Sequence, residues 1–183
     1  MFIQTEDTPN PATLKFIPGV DVLPGNSAEF NSSDEAKTSP LASRLLRIDG
    51  VESVFLSGDF VSITKAEQME WFALKPSVLA GIMEHFASGL PVMDAAQDSE
   101  ADNSDDDEVV QQIKHLLDTR VRPAVAMDGG DITFYSFDEG VVTLQMRGAC
   151  QGCPSSTATL KMGIENMLRH YIPEVVEVRP TEE

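Results

Sequence analysis

The chain is short of positive charge. It carries 13 Lys and Arg against 30 Asp and Glu, a formal net charge of −17, and no basic cluster occurs anywhere in its 183 residues. Proteins that bind nucleic acid of any sequence use Lys and Arg to neutralise phosphates, so DNA and RNA are excluded as main ligands. Long apolar runs are missing too. Nothing approaches the roughly 18 uninterrupted apolar residues that a membrane-crossing helix needs. No export signal is legible at the start, where Glu6, Asp7 and two prolines break the sequence before any apolar stretch can form. The expectation is a protein of a reducing interior compartment. Cysteine is the scarcest reactive residue, with only Cys150 and Cys153 present. Two cysteines three positions apart in such a compartment point to metal ligands or a redox pair rather than a structural disulfide. The three histidines, His85, His115 and His170, lie singly in helical stretches with no Cys or His companion at finger or ribbon spacing, so each is read as a surface or packing residue.

What is present divides the chain. Residues 94–108 hold 8 acidic side chains, none basic and no large apolar one, whereas residues 1–93 carry a net −6 and residues 109–183 a net −3. A run of like charge without apolar residues cannot offset its ordering entropy by burial, and it is predicted to be a flexible, solubilising linker. The fold class expected is α+β: two small α/β domains, 1–93 and 109–183, joined by this acidic linker, each with a small sheet packed against two helices.

In the first domain, Leu14 and Phe16 mark a strand over residues 13–17 that ends at Pro18-Gly19. Ser39-Pro40 is a helix-start signal, and Leu41, Leu45 and Ile48 form an apolar stripe that stops at Asp49-Gly50. Residues 51–56 and 60–64 read as a hairpin around Ser57-Gly58-Asp59. Val78, Leu79, Ile82, Met83 and Phe86 give a second helix after Pro76, closed by Gly89 and Pro91, with Trp71 before it as a packing residue.

The second domain reads helix, strand, strand, helix, strand. Val109, Val110, Ile113, Leu116, Leu117 and Val121 share a helix face reaching to about Pro123, and residues 132–137 and 141–147 form a hairpin. After Cys150-Gln-Gly-Cys153-Pro154, a helix carries Leu160, Ile164, Met167, Leu168, Tyr171 and Ile172 and stops at Pro173; residues 175–179 are the last strand. In Met127-Asp-Gly-Gly-Asp131 the glycines are expected to supply a turn with positive φ and the aspartates to cap nearby N–H groups.

Chemistry gathers at the cysteines. Pro154 suits a first helical turn, which makes Cys153 the expected N-cap. The N–H groups around Ser155 and Ser156, together with the helix dipole, would then favour thiolate, the form that binds metal. Gly152 and Gly148 let the loop turn so that both sulfurs face one ion at the exposed end of the sheet. By spacing alone the pair is open to three readings: a metal or cluster site, a dithiol redox pair, or no special role. The count of ligands is informative under the first. A tetrahedral zinc site or a 4Fe-4S cluster takes four protein ligands, and one chain supplies two thiolates. Two chains meeting at their loops would complete the set in a symmetric homodimer, and opening of the dimer would release what it holds.

The residues Gly129-Gly-Asp131 before a hairpin, then Gly148-Ala-Cys-Gln-Gly-Cys-Pro-Ser-Ser-Thr157 opening a helix that ends Tyr171-Ile-Pro-Glu174, closely resemble the NifU C-terminal, or Nfu, domain. The opening residues 1–11, with Phe86-Ala-Ser-Gly-Leu-Pro91, resemble the N-terminal domain that accompanies it in Nfu-type scaffold proteins. The resemblance implies an iron-sulfur cluster scaffold or carrier, not an enzyme, that binds a 4Fe-4S cluster between two subunits and supplies it to apo-proteins. It implies Cys150 and Cys153 as cluster ligands, upstream assembly proteins as donors, and a first domain that recognises clients or orients the second. Mitochondrial relatives carry a transit peptide before a start like this one; its absence sets the expectation of a bacterial cytoplasmic protein, with a processed organellar form as the alternative. The rival readings are a thiol-disulfide oxidoreductase, which also places CxxC at a helix start, and an interaction module with incidental cysteines. The first is disfavoured by a motif that follows a hairpin in a domain of about 75 residues.

Overall fold

Alternate residues in the first half of the chain, Leu14 and Phe16, Val54 and Leu56, Val61 and Ile63, are buried together with one side of two helices. This alternation is the signature of a sheet with one face on a core. The computed structural model describes residues 1–94, 107–150 and 157–181. It falls into two compact units, Met1–Ser99 and Glu100–Glu183, each with a sheet and helices. The protein is therefore α+β, as expected. Of the expected linker, 94–108, residues 95–106 lie outside the described residues, while at its ends the Asp94 N–H donates to the Thr38 carbonyl at 2.8 Å and Glu108 already belongs to a helix.

In the first unit, strands β1 (Gln4–Asp7), β2 (Thr13–Ile17), β3 (Leu23–Phe30), β4 (Val51–Gly58) and β5 (Phe60–Lys65) make an antiparallel sheet in the order β1-β2-β5-β4-β3. Helices α1 (Pro40–Leu46) and α2 (Trp71–Ser88) bury Leu41, Ala42, Leu45, Leu74, Val78 and Ile82 in the core that the sheet supplies. Ser39 caps α1 by accepting from the Ala42 N–H at 3.1 Å, and Gly89, at φ 71°, ends α2.

Two strands escaped the sequence reading. β1 has the polar sequence Gln-Thr-Glu-Asp with no apolar alternation and exists through its pairing with β2; β3 carries Pro24 and Gly25, which only an edge strand tolerates. α2 also begins earlier than expected, at Trp71, and runs through Pro76. Burial of Leu74, Val78 and Ile82 holds the helix together across the one backbone bond that proline removes. Trp71 packs as read, its Nε1–H donating to the Pro11 carbonyl at 3.1 Å.

In the second unit the helical stretch that opens with α3 (Glu108–Leu116) does not end at about Pro123 as expected. A π-helical turn, Leu117–Val121, leads into α4 (Arg122–Met127), with Pro123 in its first turn, where a missing N–H costs least. The core residues Ile113, Leu117, Val121 and Val125 recur every four positions. In an α-helix that spacing drifts by about 40° per step, and the wider π-turn takes the drift back. Strands β6 (Gly130–Asp138) and β7 (Val141–Gly148) form the expected hairpin, and β8 (Glu177–Pro180) pairs parallel to β7. α5 (Thr157–Tyr171) connects β7 to β8, buries Ile164 and Leu168, and lets Glu165 accept the Val178 N–H at 3.3 Å.

Candidate metal centre

The hairpin ends on two glycines: Gly130, first residue of β6, faces Gly148, last residue of β7. Gly148 has φ 64°, a backbone setting that glycine adopts without strain, and it turns the chain so that the Ala149 N–H reaches the Gly129 carbonyl at 3.2 Å. The turn carries Cys150 inward. Its residue is 3% exposed and belongs to the apolar core that contains Ile132 and Leu144. This departs from the expected placement of the sulfur at the exposed end of the sheet. The turn seats the side chain against Gly130, the first residue of β6, instead of leaving it in solvent.

Gly130 makes that possible. A Cβ at this position would lie 2.5 Å from Cys150 Sγ and 2.9 Å from both the Arg147 carbonyl oxygen and the Cys150 nitrogen. The expectation of two positive-φ glycines holds for Gly129, at φ 80°, whereas Gly130 is extended and serves a close approach.

Beside Gly130, Asp131 is 3% exposed. Its Oδ1 accepts from Arg122 Nε at 3.0 Å and from the Ile132 N–H at 2.9 Å, and its Oδ2 accepts from Arg122 Nη2 at 2.9 Å. Arg122 Nη1 reaches Asp118 Oδ1 at 3.1 Å. Burial opposes the charge on Arg122, but the hydrogen bonds and charges of Asp131 and Asp118 outweigh it and raise the guanidinium above its ordinary pKa. The sequence reading of Asp131 as a local N–H cap is right for Ile132 and misses the larger partner. Arg122 went unnoticed because a pair nine positions apart, linking a helix to the following strand, has no periodic signal.

Cys153, Pro154 and the expected cap of α5 lie outside the described residues, and α5 itself is described from Thr157. Among the described residues no group of three His, Cys, Asp or Glu side chains converges as a metal site. His115 and His170 are exposed on their helices and His85 is buried in the first unit, so none approaches Cys150 within a described cluster.

A family model described as the N terminus of the scaffold protein Nfu/NifU matches residues 3–89, and a second, described as a NifU-like domain, matches residues 113–179. The chain belongs to the Nfu/NifU family. Among its relatives is a protein of Drosophila willistoni, named NFU1 iron-sulfur cluster scaffold homolog, mitochondrial, 57% identical over an alignment of length 182, with 97% of this chain and 63% of that protein covered. The protein of the same name from Drosophila virilis is 56% identical, with 97% and 61% covered. The chain thus spans less than two thirds of the length of these relatives. Their names stand against the bacterial cytoplasmic expectation. The solution structure of a NifU-like protein from Saccharomyces cerevisiae aligns with 53% of this chain and 87% of its own, at 29% identity and a TM-score of 0.47.

Proposed function

We propose that this protein is an iron-sulfur cluster scaffold and carrier that holds a 4Fe-4S cluster between two copies of itself through Cys150 and Cys153 and passes it to apo-proteins. The observation that carries the reading is the CxxC pair at the end of the β6–β7 hairpin in a NifU-like domain, half of a four-thiolate set. The relatives named as iron-sulfur cluster scaffolds support it, and so does their mitochondrial designation for a protein working in that compartment. The domain of residues 109–183 is the cluster-binding part, and residues 94–108 tether it to residues 1–93. Cys150 supplies one thiolate once its sulfur leaves the core, Cys153 the second, and a second chain the other two. A cargo held only by two loops at a two-fold interface departs when the copies separate. The protein does not transform a substrate; upstream assembly proteins load it and recipients unload it.

Anaerobic addition of iron and sulfide tests this reading. The chain should turn brown with about two irons per chain, and Cys150→Ser or Cys153→Ser should abolish the colour while far-UV circular dichroism stays unchanged. Colour retained at full iron content in both variants contradicts it.

The first domain is the client-facing part. Phe2 and Phe72 are 80% and 82% exposed, and large aromatic side chains left in water supply contact area to a partner. Phe72→Ser is expected to leave cluster assembly intact and to slow transfer to at least one apo-protein by several-fold. Equal transfer rates to every recipient in a panel would remove Phe72 from that role.

A further inference from the structure

Cys150 must leave a position inside the core to serve metal, so whatever fixes that position governs the site. Resting on the carrier reading above, we propose that Arg122 and Asp131 are positioning residues for Cys150, acting through the Gly129–Gly130 segment against which the thiol is seated.

The chain of contacts is short. Asp131 is clamped from two sides, by the forked guanidinium of Arg122 on α4 and by its own strand at Ile132. One peptide unit away, Gly130 approaches Cys150 so closely that a single added carbon would sit 2.5 Å from the sulfur. Protein interiors are packed at crystal density, so a displacement of Asp131 by a few tenths of an ångström reaches the thiol without slack to absorb it. The pair supplies geometry, not field: the Arg122 cation is matched by both Asp131 and Asp118, leaving the three groups with a net charge of −1. The π-turn completes the device. It ends at Val121, so that Arg122 opens α4 on the side of Asp131 while Val121 and Val125 stay in the core. A lysine at position 122 keeps the charge but cannot form the two parallel bonds.

The test reads the sulfur directly in the unloaded, full-length chain. In a Cys153→Ser background, the rate at which iodoacetamide modifies Cys150 is measured by mass spectrometry for Arg122→Gln, Arg122→Lys, Asp131→Asn and Gly130→Ala. Val178→Ala, a core truncation opposite Val142 at the far end of β7, serves as a control for lost stability. Arg122→Gln is expected to accelerate modification by about tenfold, because local opening exposes a buried group. Arg122→Lys should also accelerate it, and the control at a similar melting temperature should not. Combined with Gly130→Ala, Arg122→Gln should add little, since both act on one contact. With both cysteines present and the cluster loaded, Arg122→Lys should lose iron to a chelator several-fold faster. An unchanged modification rate in a folded Arg122→Lys chain, or equal acceleration by Val178→Ala, overturns the proposal. Should Arg122→Gln fail to fold, Arg122→Lys and Asp131→Asn decide. If the parent chain takes up no iron at all, the carrier reading fails, while the modification rates still decide the positioning role.

Discussion

His85 shows what a single residue can hide from a sequence. It occupies a helical stretch with no ligand-like companion and reads as a packing residue, and it is fully buried in α2 against the core of the first unit. Among the described residues neither ring nitrogen meets a hydrogen-bond partner. Burial, and next the nearby Arg44 cation, lower its pKa below the ordinary 6.5. The unfolded chain therefore binds the proton first as pH falls. The stability that depends on a neutral His85 is complete above about pH 6.5 and declines below it, until the folded-state pKa is also passed. His85→Phe is expected to flatten the acid side of the thermal stability profile, with a smaller fall in melting temperature between about pH 7.5 and 5.5 than the parent chain shows. Parallel profiles for the two chains would exclude His85 as the titrating group. The same limit of sequence reading applies at Gly130 and Arg122. A glycine required for space looks like one required for a turn, and a helix-to-strand ion pair leaves no spacing to find.

At the scale of elements, signals that are local in sequence were legible, and those made by pairing were not. Ser39-Pro40 announced α1 because cap and first turn are adjacent residues, and Gly89 announced the end of α2 for the same reason. β1 and β3 are edge strands whose polar or Pro- and Gly-containing sequences acquire strand geometry from β2 and β4. The π-turn between α3 and α4 was equally silent, since a four-residue repeat of apolar positions looks like an ordinary helical stripe. Ser39 does more than cap its helix: its hydroxyl also donates to the Val92 carbonyl at 2.6 Å, fastening the segment after α2 to the start of α1. Ser39→Ala should therefore cost about 1–2 kcal/mol in urea unfolding of the first unit, because the half-buried Val92 carbonyl loses its donor along with the helix cap. A loss below about 0.5 kcal/mol would show that the tie to Val92 contributes nothing.

At the scale of the whole molecule, charge and cysteine count limit what the protein can do. A net charge of −17 sets the chain's field against polyanions, and its two thiols are half of a four-thiolate set. The two-unit α+β organisation was legible because the acidic segment stands out in composition, and the order of elements in the second unit because each has its own periodicity. The seating of Cys150 in the core was not, since it follows from the Gly130–Gly148 pairing and the turn after it. The proposed pairing of chains around a shared cluster is most directly tested by native mass spectrometry of the reconstituted protein, with iron and sulfide quantified on the same sample. Two chains carrying four irons and four sulfides are expected, with the dimer lost when the cluster is chelated. A single chain holding a complete 4Fe-4S cluster without an added thiol would contradict it.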